Sequence, residues 1–159
     1  MRDDVHALAY PAIPAGLTTP SVIVDLDVVR ANIGRMQALA DDRQISLRPH
    51  VKTHKSIEVG RLQVLAGARG ITAGTLGEVE VFAGAGFDDI FLAYPVWAVD
   101  ERADRLRTLL DAIRLRIGID SPAAATALSR LLKTGRPIEV VIEVDCGARR
   151  CGVPPAAAG

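Results

Sequence analysis

The sequence predicts an α/β protein built on a parallel β-sheet. Three observations carry that prediction. Five short runs of apolar and β-branched residues, centred on Leu47, Ile71, Phe91, Leu115 and Val141, recur along the chain at near-regular spacing. The stretches between them have helical periodicity over Ser56–Ala66, Leu76–Ala85, Asp100–Ala112 and Pro122–Thr134. The turn formers Gly86, Gly118, Gly135 and Pro137 fall between elements. Repeated strand, loop and helix is the pattern a parallel sheet needs, because parallel neighbours are joined by long crossovers. A doubly wound sheet and a (β/α)₈ barrel both begin this way, although no Gly-x-Gly-x-x-Gly follows the first strand as a dinucleotide fold would have it.

Taken in order, residues 1–19, with Pro11, Pro14 and Gly16, read as an irregular N-terminal arm, and residues 20–159 as the folded part. Ser21-Val22-Ile23-Val24 is a β-branched run. Asp25 or Asp27 then caps a helix in which Val28, Ile33, Met36 and Leu39 recur at helical spacing. In the run around Leu47, strand alternation sends Arg48, His50 and Lys52 to one face and Leu47 and Val51 to the other. Thr75 and Glu78 have the spacing of a capping box at the start of the helix from Leu76. Asp120-Ser121-Pro122 opens another helix with a cap and a first-turn proline. After the last strand, Gly147 allows a tight turn that brings Arg150 back toward the strand end.

Composition limits the function classes. The 159 residues are 49% hydrophobic and 24% charged with a formal net charge of zero, so no basic field points to nucleic acid or to an anionic membrane. No apolar run approaches the ~18 residues of a membrane helix. The polar, acidic opening Met1-Arg2-Asp3-Asp4 is unlike a secretory leader, so a soluble, cytoplasmic protein is expected. Cys146 and Cys151 have neither a second cysteine pair nor a nearby histidine, and read as two reduced thiols rather than as a zinc site or a disulfide framework.

The chemistry concentrates in Arg48-Pro49-His50-Val51-Lys52-Thr53-His54-Lys55. Two of the chain's three lysines (the third is Lys133) and two of its three histidines lie in this window. A lysine at a strand exit, beside a cation such as Arg48 or a protonated His50 and partly desolvated, is poised as a Schiff-base nucleophile. The alternation selects Lys52 over Lys55, which reads as a solvated residue at a helix start. His50 and His54 are candidates for acid/base work or for hydrogen bonds to a cofactor, against the plainer structural use of histidine. Thr75 is a candidate cofactor contact, though the capping box already accounts for it. The Tyr94 phenol either lines a pocket or anchors a turn.

Four segments in this order, Thr19-Pro20-Ser21-Val22-Ile23-Val24-Asp25-Leu26-Asp27, the lysine window, Thr75-Leu76-Gly77-Glu78 and Asp145-Cys146-Gly147-Ala148-Arg149-Arg150-Cys151-Gly152-Val153, resemble one family. It is the D-threonine aldolase and D-serine dehydratase-like branch of the alanine-racemase-type (fold type III) pyridoxal-phosphate enzymes. The resemblance implies the N-terminal portion of a (β/α)₈ TIM barrel, truncated after about five βα units, with the C-terminal β domain absent. It implies pyridoxal 5'-phosphate held as a Schiff base on Lys52, with Arg150 donating to the phenolic oxygen of its ring and His50, His54 and Thr75 as further cofactor contacts. The implied function is a lyase acting on a small D-3-hydroxy amino acid, aldolase or dehydratase, inactive as this fragment. A divalent metal is implied for the full-length enzyme with ligands outside this chain, as is a homo-oligomer when complete. Glu143 stands where alanine racemases usually carry a lysine, which argues against a racemase. The remaining alternatives are an amino-acid racemase, a non-catalytic pyridoxal-phosphate homeostasis protein, or a truncated remnant.

Overall fold

Asp25 starts the first helix: its carboxylate accepts from the backbone N–H groups of Asp27 and Val28, and α1 runs over Leu26–Asp42. The computed structural model of the chain describes residues 16–131 and 137–157. Most of the expected irregular arm and Lys133 therefore lie outside the described residues. The remaining elements are α2 (Ile57–Leu65), β1 (Ile71–Ala73), α3 (Leu76–Gly84), β2 (Asp89–Leu92), α4 (Asp100–Ala112), β3 (Arg114–Ile119), α5 (Pro122–Ser129) and β4 (Glu139–Ile142). The expected helices hold to within a residue except the last. Ser56, Thr75 and Ser121 cap α2, α3 and α5 through their hydroxyls, and residues 132–134 of the longer helix expected from Pro122 lie outside the described residues.

The sheet is parallel throughout, in the order β1-β2-β3-β4. Ile71, Ala73, Ile90, Leu92, Leu115 and Ile117 are buried in one core with Val79, Phe82, Leu106, Leu109 and Leu128 from α3, α4 and α5. The alternate residues Asp89, Phe91, Arg114, Arg116 and Glu139 lie on the opposite face. A line of charge crosses that face near the strand starts. Arg48 grips Asp89 with two hydrogen bonds of 2.7 and 2.8 Å, Arg116 reaches both Asp89 and Glu139 at 2.7 Å, and Arg114 also meets Glu139 at 2.7 Å. Gly70 is needed here, because a Cβ on it would collide with the Asp89 carbonyl and with Arg48 Nη1.

One of the five expected strands is absent among the described residues. The run around Leu47 lies along β1, where Arg69 N–H donates to the Leu47 carbonyl and Thr72 N–H to that of Pro49, but it closes only a single bridge, His50 with Thr72. Pro49 has no N–H to return, so the ladder cannot propagate. Ser21–Val24 joins no sheet, and Val22 is 92% exposed. The apolar spacing in α1 also misleads: Val28, Met36 and Leu39 are exposed, whereas Gln37 and Ala40 are buried.

Candidate active site

The C-terminal ends of the strand-like segments converge on a cleft of about 370 Å³ lined by His50, Lys52, Tyr94, Glu143, Asp145 and Arg150 among others. His50 and Lys52 follow the segment beside β1, Tyr94 follows β2, and Glu143 through Arg150 follow β4. Larger clefts exist, one of about 480 Å³ around Asp88 and Arg107, but they bring together no comparable set of reactive groups.

Lys52 is not in a strand. Val51–Thr53 forms one 3-10 turn with Val51 fully buried beneath it, and the His50 Nδ1 accepts from Lys52 N–H at 3.3 Å. The buried Val51 anchors the turn, and the Lys52 side chain is exposed, its amine without a hydrogen-bond or ion-pair partner among the described residues. Strand alternation therefore pointed to the lysine that lines the cleft, by a geometry that ends at His50. Nor is Arg48 the cation beside Lys52, because its guanidinium is committed to Asp89 at the start of β2. Burial and then the Lys52 ammonium push His50 below the usual imidazole range, against the pull of Glu78. His50 is thus a neutral ring at physiological pH, with Nδ1 as the acceptor.

Glu78 fastens this corner. Its N–H takes the Thr75 hydroxyl at 3.1 Å, as the capping box requires. Its carboxylate, however, reaches past the cap residue to Gly74 N–H at 2.8 Å and to Lys55 Nζ at 3.3 Å. Burial raises this carboxyl, but Gly74 and Lys55 outweigh it and hold Glu78 below the ordinary range. Lys55, though 68% exposed, is therefore paired and not free. Thr75 works as a helix cap and does not line the cleft, and neither does His54, whose Nδ1 accepts from Ser56 N–H.

Arg150 reaches the cleft from the loop after β4. Asp145 Oδ1 accepts from Gly147 and Arg149 N–H at 2.9 and 3.0 Å, and these bonds, Arg149's first, hold its carboxyl low. Val153 pairs back on Glu143 and Asp145 to close the loop. Arg150 Nη2 donates to the Tyr94 hydroxyl at 3.1 Å, its carbon 5.8 Å from the ring centroid. Tyr94 thus lines the pocket, one of the two roles its position allowed. Glu143 accepts from the Cys151 thiol at 2.8 Å through Oε1, while its buried Oε2 has no partner among the described residues. That bond, with burial, pushes the Cys151 thiol up. Sequence reasoning noticed Glu143 only as a departure from a racemase pattern; an acid directly preceding the Asp145 loop was the available signal.

A primary amine without a partner among the described residues and a guanidinium with N–H donors to spare share one cleft, which suits a pyridine aldehyde with an anionic ring oxygen. Among the described residues no three His, Cys, Asp or Glu side chains gather as metal ligands. The model of the alanine racemase N-terminal domain matches residues 24–159. The D-threo-3-hydroxyaspartate dehydratase of Delftia sp. (strain HT23) is 42% identical over 86% of this chain and 36% of its own length. The D-threonine aldolase of Arthrobacter sp is 36% identical over 92% of this chain and 40% of its own. The crystal structure of D-threonine aldolase from Filomicrobium marinum superposes with a TM-score of 0.83 at 30% identity, covering 89% of this chain and 38% of that one. The chain therefore spans well under half the length of these relatives.

Proposed function

Because the chain belongs to the alanine racemase N-terminal domain family, we propose that it provides the cofactor-attachment site of a pyridoxal-phosphate-dependent lyase for D-3-hydroxy amino acids. The observation that carries this reading is the convergence of Lys52, His50, Tyr94 and Arg150 on one cleft at the strand ends. The names of its relatives, dehydratases and aldolases of D-3-hydroxy amino acids, supply the substrate class. Lys52 is the covalent attachment point, its exposed amine standing on a turn pinned by buried Val51. When bound, the cofactor supplies an electron sink for the bond broken at Cα. Arg150 would hold the ring oxygen of the cofactor, with a charge that does not titrate. His50, neutral in this environment, exchanges a proton with groups in the cleft, and its Nδ1 hydrogen bond to Lys52 N–H fixes its orientation.

Borohydride treatment of the whole protein with pyridoxal phosphate, followed by peptide mapping, tests the assignment. Label on Lys52, abolished in Lys52→Ala, is the expected result. Label on Lys55 or Lys133 instead would overturn it.

A further inference from the structure

We propose that Glu143 is a positioning residue for Arg150: its buried, unpartnered oxygen Oε2 is the acceptor for guanidinium N–H groups that Tyr94 leaves free, and the Cys151 thiol holds the other oxygen in place. The inference rests on the reading that Arg150 faces the ring oxygen of pyridoxal phosphate. Its starting point is the buried oxygen itself. A carboxylate oxygen without a donor is costly to bury, so such an atom marks a contact completed in another state of the molecule. The main chain of Glu143 is fixed. Its own N–H donates to the Ile119 carbonyl at 2.8 Å and its carbonyl accepts from Val153 N–H at 2.9 Å, so the backbone is held on both sides.

The thiol contact brings the loop to it. Cys151 is the neighbour of Arg150 in sequence, its Sγ lies 2.8 Å from Glu143 Oε1, and Arg150 and Glu143 line the same cleft. Arg150 presents five N–H donors, of which one, on Nη2, is used among the described residues, on Tyr94. The negative charge of Glu143 adds to the Tyr94 contact in keeping Arg150 protonated. Tyr94 and Glu143 thus offer the guanidinium two anchors, a neutral one at the cleft wall and a charged one at the end of β4. With the charged anchor engaged, the remaining N–H groups are presented to a ligand in one orientation, at a lower ordering cost.

Three variants of the whole protein, Glu143→Gln, Arg150→Leu and the pair, separate this proposal from the reading beneath it. Pyridoxal phosphate affinity and the absorption maximum of the bound form are measured, with circular dichroism to verify the fold. Glu143→Gln should weaken binding roughly tenfold, the size of one charge-assisted hydrogen bond, and shift the maximum in the direction of Arg150→Leu. In the double variant it should add nothing, because the partner it positions is gone. In the cofactor-free protein, Glu143→Gln should also speed alkylation of Cys151 several-fold relative to Cys146, since the thiol loses the neighbouring negative charge that disfavours its thiolate. Additive losses, or an unchanged affinity and spectrum in Glu143→Gln beside a clear defect in Arg150→Leu, would overturn the proposal alone. No defect in Arg150→Leu would remove the underlying reading with it.

Discussion

Gly152 closes the loop that carries Arg150, and no other residue type fits there. Its φ is +96°, and a Cβ would sit 2.8 Å from Asp145 N and 2.9 Å from the Val144 carbonyl carbon, backbone atoms that cannot rotate away. Gly152→Ala should therefore destabilise the protein by about 1–3 kcal/mol and weaken cofactor binding, read by denaturant titration and by pyridoxal phosphate affinity. A variant as stable as its parent would show that the loop does not hold this turn. Residues set by local pattern were legible in the chain: Asp25, Thr75 and Ser121 as caps, and Lys52 and Arg150 as residues that reach one cleft. Residues whose role depends on what lies across the fold were not. The pairing of Arg48 with Asp89 spans 41 positions, and Glu143 acquires its orphaned oxygen only when Cys151 folds back on it. No local pattern encodes either contact.

Across the sheet, Asp89 is the centre of the charge line, held by Arg48 on one side and Arg116 on the other with only 14% of its side chain exposed. Burial raises its carboxyl, but the two guanidinium groups outweigh burial and leave it below the ordinary aspartate range. A carboxyl depressed in the folded state contributes stability that is present above its unfolded value, ~3.9, and is lost as pH falls through the lower folded value. Acid unfolding should accordingly steepen below about pH 4 and lose that component in Asp89→Asn. At neutral pH the same substitution leaves two arginines without their shared partner and should cost about 3–5 kcal/mol, the scale for breaking a buried pair. Equal denaturation midpoints for parent and variant at pH 7 would reduce the line of charge to a surface feature. The helices of this layer were readable in sequence because caps and apolar periodicity agree, whereas the first expected strand was lost to Pro49, whose missing N–H interrupts the ladder its composition favours. In α1 periodicity itself misled, since its apolar stripe of Val28, Met36 and Leu39 faces outward.

At the scale of the molecule, the buried core lies between the sheet and α3, α4 and α5, while apolar surface accumulates elsewhere. Val22, Ile23, Val24, Leu26, Val28, Met36 and Leu39 are exposed along α1 and its approach, and Val140, Val141 and Ile142 are exposed on β4. Among the described residues β4 pairs with β3 alone, so its other edge presents free backbone groups beside apolar side chains. Such an edge templates pairing with a further strand, and apolar patches of this kind drive association. A net charge of zero adds no long-range repulsion to oppose it. The 159-residue chain on its own should therefore assemble in a concentration-dependent way, growing in light scattering as protein is added and binding a dye that reports apolar surface. Val141→Lys, which sets a charge on the free edge strand, should reduce that growth without unfolding the helices, because β4 lies at the end of the sheet. A parent chain that stays monomeric over a hundredfold range of concentration would mean that these surfaces are covered within the chain itself.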